Sequence, residues 1–122
     1  MANILIVDDY ALFRQGLVIV LESAGHQVIE AIDGAAAIEI ANRELPDLII
    51  TDMSLPVKTG WEVIVELKSD DATQKIPIIA LSGHVSQGDR DAGHEAGCDA
   101  YMGKPVDNVA LIKTIDELLS LS

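Results

Sequence analysis

A chain of 122 residues, 49% hydrophobic and 23% charged, is long enough to bury one core without disulfide staples and has the composition of a folded domain rather than a disordered segment. A net charge of −12, with eight basic residues that never form a run, excludes a phosphate-tracking nucleic-acid surface and an anionic-membrane anchor. No apolar run approaches the roughly 20 residues of a membrane helix, Met1-Ala2-Asn3 carries no signal-peptide pattern, and the lone Cys98 fits a reducing cytoplasm.

In chain order, the continuous Ile/Leu/Val run of residues 3–8 reads as a buried strand. A helix follows over about 11–24, with Phe13, Leu17, Val20, Leu21 and Ala24 on one face and Gly25 as its stop. Residues 27–31 form a short strand, and Asp33-Gly34 turns into an Ala-rich helix to about 43. Pro46-Asp47 opens strand 48–52; Pro56 and Gly60 mark a loop before a helix over 60–69. A polar connector, 69–73, leads to strand 77–82. The helix over 87–96 is weak, because Gly88 and Gly93 each cost about 1 kcal/mol relative to alanine. Strand 99–103 and a helix over 107–120, with Leu111, Ile115, Leu118 and Leu119 inward, complete the chain.

Five strands alternating with helices predict right-handed βαβ units and one α/β domain over 1–122: a (βα)5 doubly wound parallel sheet of order 2-1-3-4-5, as in flavodoxin-like folds. Met1 directly ahead of the first strand reads as the start of a complete small protein.

In such a sheet the C-terminal strand ends share one crevice, where ligands bind. Those ends carry Asp8 and Asp9, Asp52, Ser82, and Lys104-Pro105. Clustered carboxylates are costly without a cation, and hard oxygen ligands with room for water suit magnesium. Beside a cation, Asp52 becomes a candidate nucleophile towards a phosphoryl group. Lys104 supplies a long-reach positive charge for phosphoryl oxygens, and Ser82 a small hydroxyl donor. Lys104-Pro105 is a candidate cis peptide.

These residues, together with Pro56, Gly60, Gly83 and Tyr101, make the chain resemble a response-regulator receiver domain of two-component signalling over essentially its whole length. The resemblance implies Asp52 as phosphoacceptor from a kinase phosphohistidine, with magnesium held by Asp8, Asp9, Asp52 and the carbonyl of Ser54. It implies that Lys104 and Ser82 contact the phosphoryl group and that Tyr101 rotates inward as Ser82 moves. By the same resemblance, Ser54 and His84 occupy the positions expected to set the lifetime of the phosphorylated state. The implied partners are a sensor histidine kinase or phosphotransfer protein and a downstream protein target, reached through the last two helices and the last strand. The chain is expected to be a monomer or a weak phosphorylation-dependent dimer, and no enzyme beyond its own phosphorylation and dephosphorylation. Ser82 stands where threonine is frequent and Thr59 where aspartate is, and neither removes a reactive group.

Two other chemistries fit less well. An aspartyl-nucleophile phosphatase wants Asp-x-Asp after the first strand and an enclosing cap; here the aspartates are adjacent. A flavin carrier on the same fold needs Ser, Thr and Gly donors there, whereas Asp8-Asp9 repels phosphate. A receiver module excised from a hybrid kinase or longer regulator is the alternative organisation. Outside the site, Cys98 is expected to pack at the entry of the last strand, Trp61 to cover the start of the third helix, and His26 and His94 to be solvated.

Overall fold

The computed structural model describes residues 2–120, so the outer ends of the domain read over 1–122 lie outside the described residues. The apolar runs become five strands, β1 (Asn3–Val7), β2 (Gln27–Ala31), β3 (Leu48–Asp52), β4 (Ile78–Ser82) and β5 (Ala100–Gly103). Between and after them lie α1 (Ala11–Ser23), α2 (Gly34–Glu44), α3 (Gly60–Lys68), α4 (Gln87–Ala96) and α5 (Asn108–Ser120). All strand pairs are parallel, in the order β2-β1-β3-β4-β5. This is the flavodoxin-like topology expected.

The alternation of side chains along a strand builds two cores. Leu5, Val7 and Ile49 point to the layer holding α2, α3 and α4, against Ala37, Ala41, Val63, Ile64 and Leu67. Ile4, Ile6, Leu48 and Ile50 point to α1 and α5, against Leu17, Leu21, Leu111 and Ile115. The central strands β3 and β4 are buried along their whole length, which is why they read as unbroken apolar runs. Because β1 lies between β2 and β3, the chain reverses direction across the sheet there, and the ends of β1 and β3 flank the crevice.

Most expected boundaries hold to within a residue. Asp8 falls just past β1, and β4 and β5 start one residue late, because Pro77 and Asp99 serve as junctions: Ile49 donates to the Pro77 carbonyl and Asp99 to the Ile78 carbonyl. One expectation is corrected. Ala24 is exposed and lies past the end of α1, so the buried stripe of that helix rests on Leu17 and Leu21, with Phe13 and Val20 half-buried. Within the polar connector 69–73, Thr73 is buried and its hydroxyl donates to the Leu67 carbonyl at 2.7 Å.

Capping fixes the helices that border the crevice. Asp33 caps α2 by accepting the Ala36 N–H at 2.8 Å. Thr59 with Glu62 and Ser86 with Asp89 form capping boxes at α3 and α4. The Ser86 hydroxyl and N–H hold the Asp89 carboxyl below its ordinary range. No helix among the described residues is long and apolar enough to cross a membrane.

Candidate functional site

Four strand ends deliver polar groups to the crevice, two from β1 and one each from β3, β4 and β5, and the local chain fixes where they point. Asp8 is 2% exposed; its Oδ1 accepts the Tyr10 N–H at 2.8 Å, and its carbonyl accepts from Arg14 Nη1 at 2.9 Å. Asp9 is exposed at the rim. Asp52 closes β3 at 8% exposure, and its Oδ1 receives a long bond, 3.4 Å, from the Ser54 N–H. One carboxylate oxygen from each of Asp8, Asp9 and Asp52 lies within 4.8 Å of the others.

Lys104 reaches into this group from the end of β5. Its Nζ lies 3.1 Å from Asp8 Oδ2 and 3.4 Å from Asp52 Oδ1. The Lys104 N–H donates to the Ser82 carbonyl at 2.8 Å, which ties the lysine to the end of β4, and the Lys104-Pro105 bond is cis, as expected. One ammonium does not balance three carboxylates. Burial pushes the Asp52 carboxyl above its ordinary value; Lys104 pulls it down, and Asp8 pushes it up again. Close-set hard oxygens of excess negative charge, partly open at Asp9, suit a divalent cation that retains some of its water.

The loop after Asp52 turns back hard on that aspartate. Gly60 donates its N–H to the Met53 carbonyl at 3.1 Å, and a Cβ there would stand 2.5 Å from the Asp52 carbonyl oxygen and 2.6 Å from Met53 Cα. Only glycine lets the start of α3 approach Asp52 so closely. Val57 in the same loop is left-handed, φ 69, and largely exposed, a strained setting for a β-branched residue.

Ser82 is buried, and its hydroxyl accepts the His84 N–H at 3.0 Å. The His84 side chain is exposed at the mouth, as is Ser54. Tyr101 is already inward: its ring is 5% exposed and its hydroxyl donates to the His84 carbonyl at 2.7 Å. The resemblance implied an inward rotation on activation, and packing accounts for the difference. A Cβ on Gly93 would come within 2.5 Å of the Tyr101 ring, so this glycine, expected only to loosen α4, opens the slot the ring occupies. Arg90 covers the ring, its guanidinium 5.9 Å from the centroid, and donates to the Tyr101 carbonyl at 2.9 Å. Trp61 stands 6.3 Å from Tyr101, centroid to centroid.

Sequence reasoning placed Phe13 and Gly93 only as helix residues and missed the parts that they and Arg90 play around the site; the Phe13 ring centre lies 4.3 Å from Lys104 Nζ. No spacing signal marks those parts, because each acts across the fold. Cys98 packs at the entry of β5, as expected. The two outlying histidines are not simply solvated: His26 Nδ1 accepts the Ala2 N–H, and His94 Nδ1 contacts the Cys98 carbonyl at 3.2 Å.

Comparison with known proteins agrees with this geometry. Residues 4–116 match the family profile of the response regulator receiver domain. The chain is 36% identical over 120 residues to protein PilH of Pseudomonas aeruginosa, covering 98% of this chain and 99% of that protein. It is 34% identical over 117 residues to the polar-differentiation response regulator DivK of Brucella anthropi, covering 96% and 95% of the two chains. Among solved structures, the receiver domain of a sensor histidine kinase from Pseudomonas aeruginosa, with a magnesium ion coordinated in its active-site cleft, superposes with a TM-score of 0.91 at 30% identity over 98% of each chain.

Proposed function

Because the chain belongs to the response regulator receiver family, and so to two-component phosphorelay signalling, we propose that Asp52 is its phosphoacceptor and that residues 1–122 form one receiver domain. The observation that carries this is the convergence of Asp8, Asp9 and Asp52 within 4.8 Å, with Lys104 beside Asp52. Asp8, Asp9, Asp52 and the Ser54 backbone carbonyl would hold magnesium. When bound, the ion offsets the combined negative charge of the carboxylate and the incoming phosphoryl group.

This chain's residues divide the remaining work. An Asp52 oxygen forms the bond to phosphorus as the P–N bond of a kinase or phosphotransfer-protein phosphohistidine breaks, and the leaving imidazole keeps the electron pair. Lys104 meets the phosphoryl oxygens as a point charge. The Ser82 hydroxyl turns from the His84 N–H to donate to the phosphoryl group. That turn disturbs the 82–84 backbone, whose His84 carbonyl holds Tyr101. The signal therefore reaches α4, β5 and α5, the face offered to a downstream protein, with monomer and weak phosphorylation-dependent dimer as the states concerned. Ser54 and His84 flank the phosphoryl group and control the approach of hydrolytic water, which sets the lifetime of the state. Catalysis stops at the chain's own phosphorylation and dephosphorylation.

The test is intact-mass labelling with acetyl phosphate and magnesium. One phosphoryl group should be gained by the parent and none by Asp52→Asn. Full labelling of Asp52→Asn would overturn the assignment.

A further inference from the structure

The Lys104 ammonium is bounded on three sides. Asp8 Oδ2 and Asp52 Oδ1 lie 3.1 and 3.4 Å from Nζ, and the Phe13 ring centre lies 4.3 Å from the same atom. A lysine head is a point charge on a flexible four-carbon stem, so two carboxylates alone let it slide towards either one. An aromatic face attracts the ammonium through its quadrupole and carries no net charge of its own. It restrains the charge without adding to the negative excess of the site. Phe13 is placed to do this in the first turn of α1, where it is half-buried against the α1–α5 core and shares an apolar groove with Leu17, Pro105 and Val106.

We propose that Phe13 is a positioning residue for phosphoryl transfer, its ring holding Lys104 Nζ between Asp8 and Asp52 where the phosphoryl oxygens arrive. This rests on the reading of Lys104 as the phosphoryl-binding cation. The Lys104 side chain is 24% exposed, so the attraction is that of a partly solvated pair, worth about two- to five-fold in affinity.

The experiment combines two readouts on the full chain. In metal-free protein, ring current should shift the Lys104 Hε resonances upfield. Phe13→Leu should return them to ordinary values, while Phe13→Tyr, which keeps the face, should leave them shifted. With magnesium present, Phe13→Leu should weaken beryllofluoride binding about two- to five-fold, Phe13→Tyr should restore it, and Phe13→Leu should add nothing in a Lys104→Ala background. Lysine resonances unmoved by Phe13→Leu, or equal weakening in the Lys104→Ala background, would overturn the role of the ring. If Lys104→Ala binds beryllofluoride as the parent does, the reading of Lys104 itself fails, and the proposal fails with it.

Discussion

Lys68 and Lys104 sit at opposite ends of the sheet, each beside an aspartate. Where the strands begin, Lys68 Nζ donates to Asp99 Oδ2 at 3.0 Å and to the Ile76 and Gln74 carbonyls at 2.8 and 3.3 Å. Asp99 Oδ2 also accepts the Ile78 N–H at 2.8 Å. One cation meets one carboxylate there, and the surrounding backbone completes both. Where the strands end, a single ammonium faces Asp8, Asp9 and Asp52. The first end is balanced and holds α3 to β4 and β5. The second keeps excess negative charge that only a ligand can neutralise, and stability is given up there for chemistry.

Breaking the balanced end should cost the most stability at neutral pH. Lys68→Met leaves the Asp99 charge and two carbonyls without their cation and should cost about 2 kcal/mol in urea unfolding, without impairing phosphorylation by acetyl phosphate. Loss of labelling in a still-folded Lys68→Met protein would mean that the two ends are not independent.

Gly93→Ala probes the region between the ends. The helix gains about 1 kcal/mol in propensity, and displacing the Tyr101 ring forfeits about 2 kcal/mol of burial, so net destabilisation of about 1 kcal/mol is expected. Trp61 fluorescence should change as the neighbouring ring leaves. An unchanged spectrum with a gain in stability would show that the slot closes without expelling Tyr101.

At neutral pH Cys98 gives the smallest effect, because its thiol is protonated in folded and unfolded chains alike, and in alkali it reports on the balanced end. Burial, with Asp99 adding, pushes its thiol up to about 11 from 9.0, while Lys68 pulls the other way. The folded protein therefore holds the proton after the unfolded chain has lost it, and Cys98 makes stability fall as pH rises from about 9 to 11. That slope should be missing in Cys98→Ala, and alkylation of the native thiol at pH near 8.5 should be slow until denaturant is added. Rapid native alkylation would contradict the burial.

The strand ends were legible because each follows an unbroken apolar run, which locates the edge of a parallel sheet without knowledge of the packing. Asp8, Asp9, Asp52, Ser82 and Lys104 could therefore be assembled from sequence. The inward Tyr101, the Gly93 slot and the Phe13–Lys104 contact could not, since they depend on ring positions across separate elements. The Lys68–Asp99 pair is hidden for the same reason, its members lying 31 residues apart. Gly93 shows the mechanism of the miss: intrinsic propensity reads glycine as a weakness, whereas the fold uses the space its missing Cβ leaves.

The unbalanced charge at the strand ends is tested most directly by thermal melting of the parent and Asp52→Asn, each with a chelator and with millimolar magnesium. Burial, and then Asp8, disfavour the ionised Asp52 carboxyl more than Lys104 favours it, so removing that charge should stabilise the metal-free protein. Magnesium, binding the native state, should raise the melting temperature of the parent. An Asp52→Asn protein that melts below the parent in chelator, with no magnesium shift in the parent, would contradict the account.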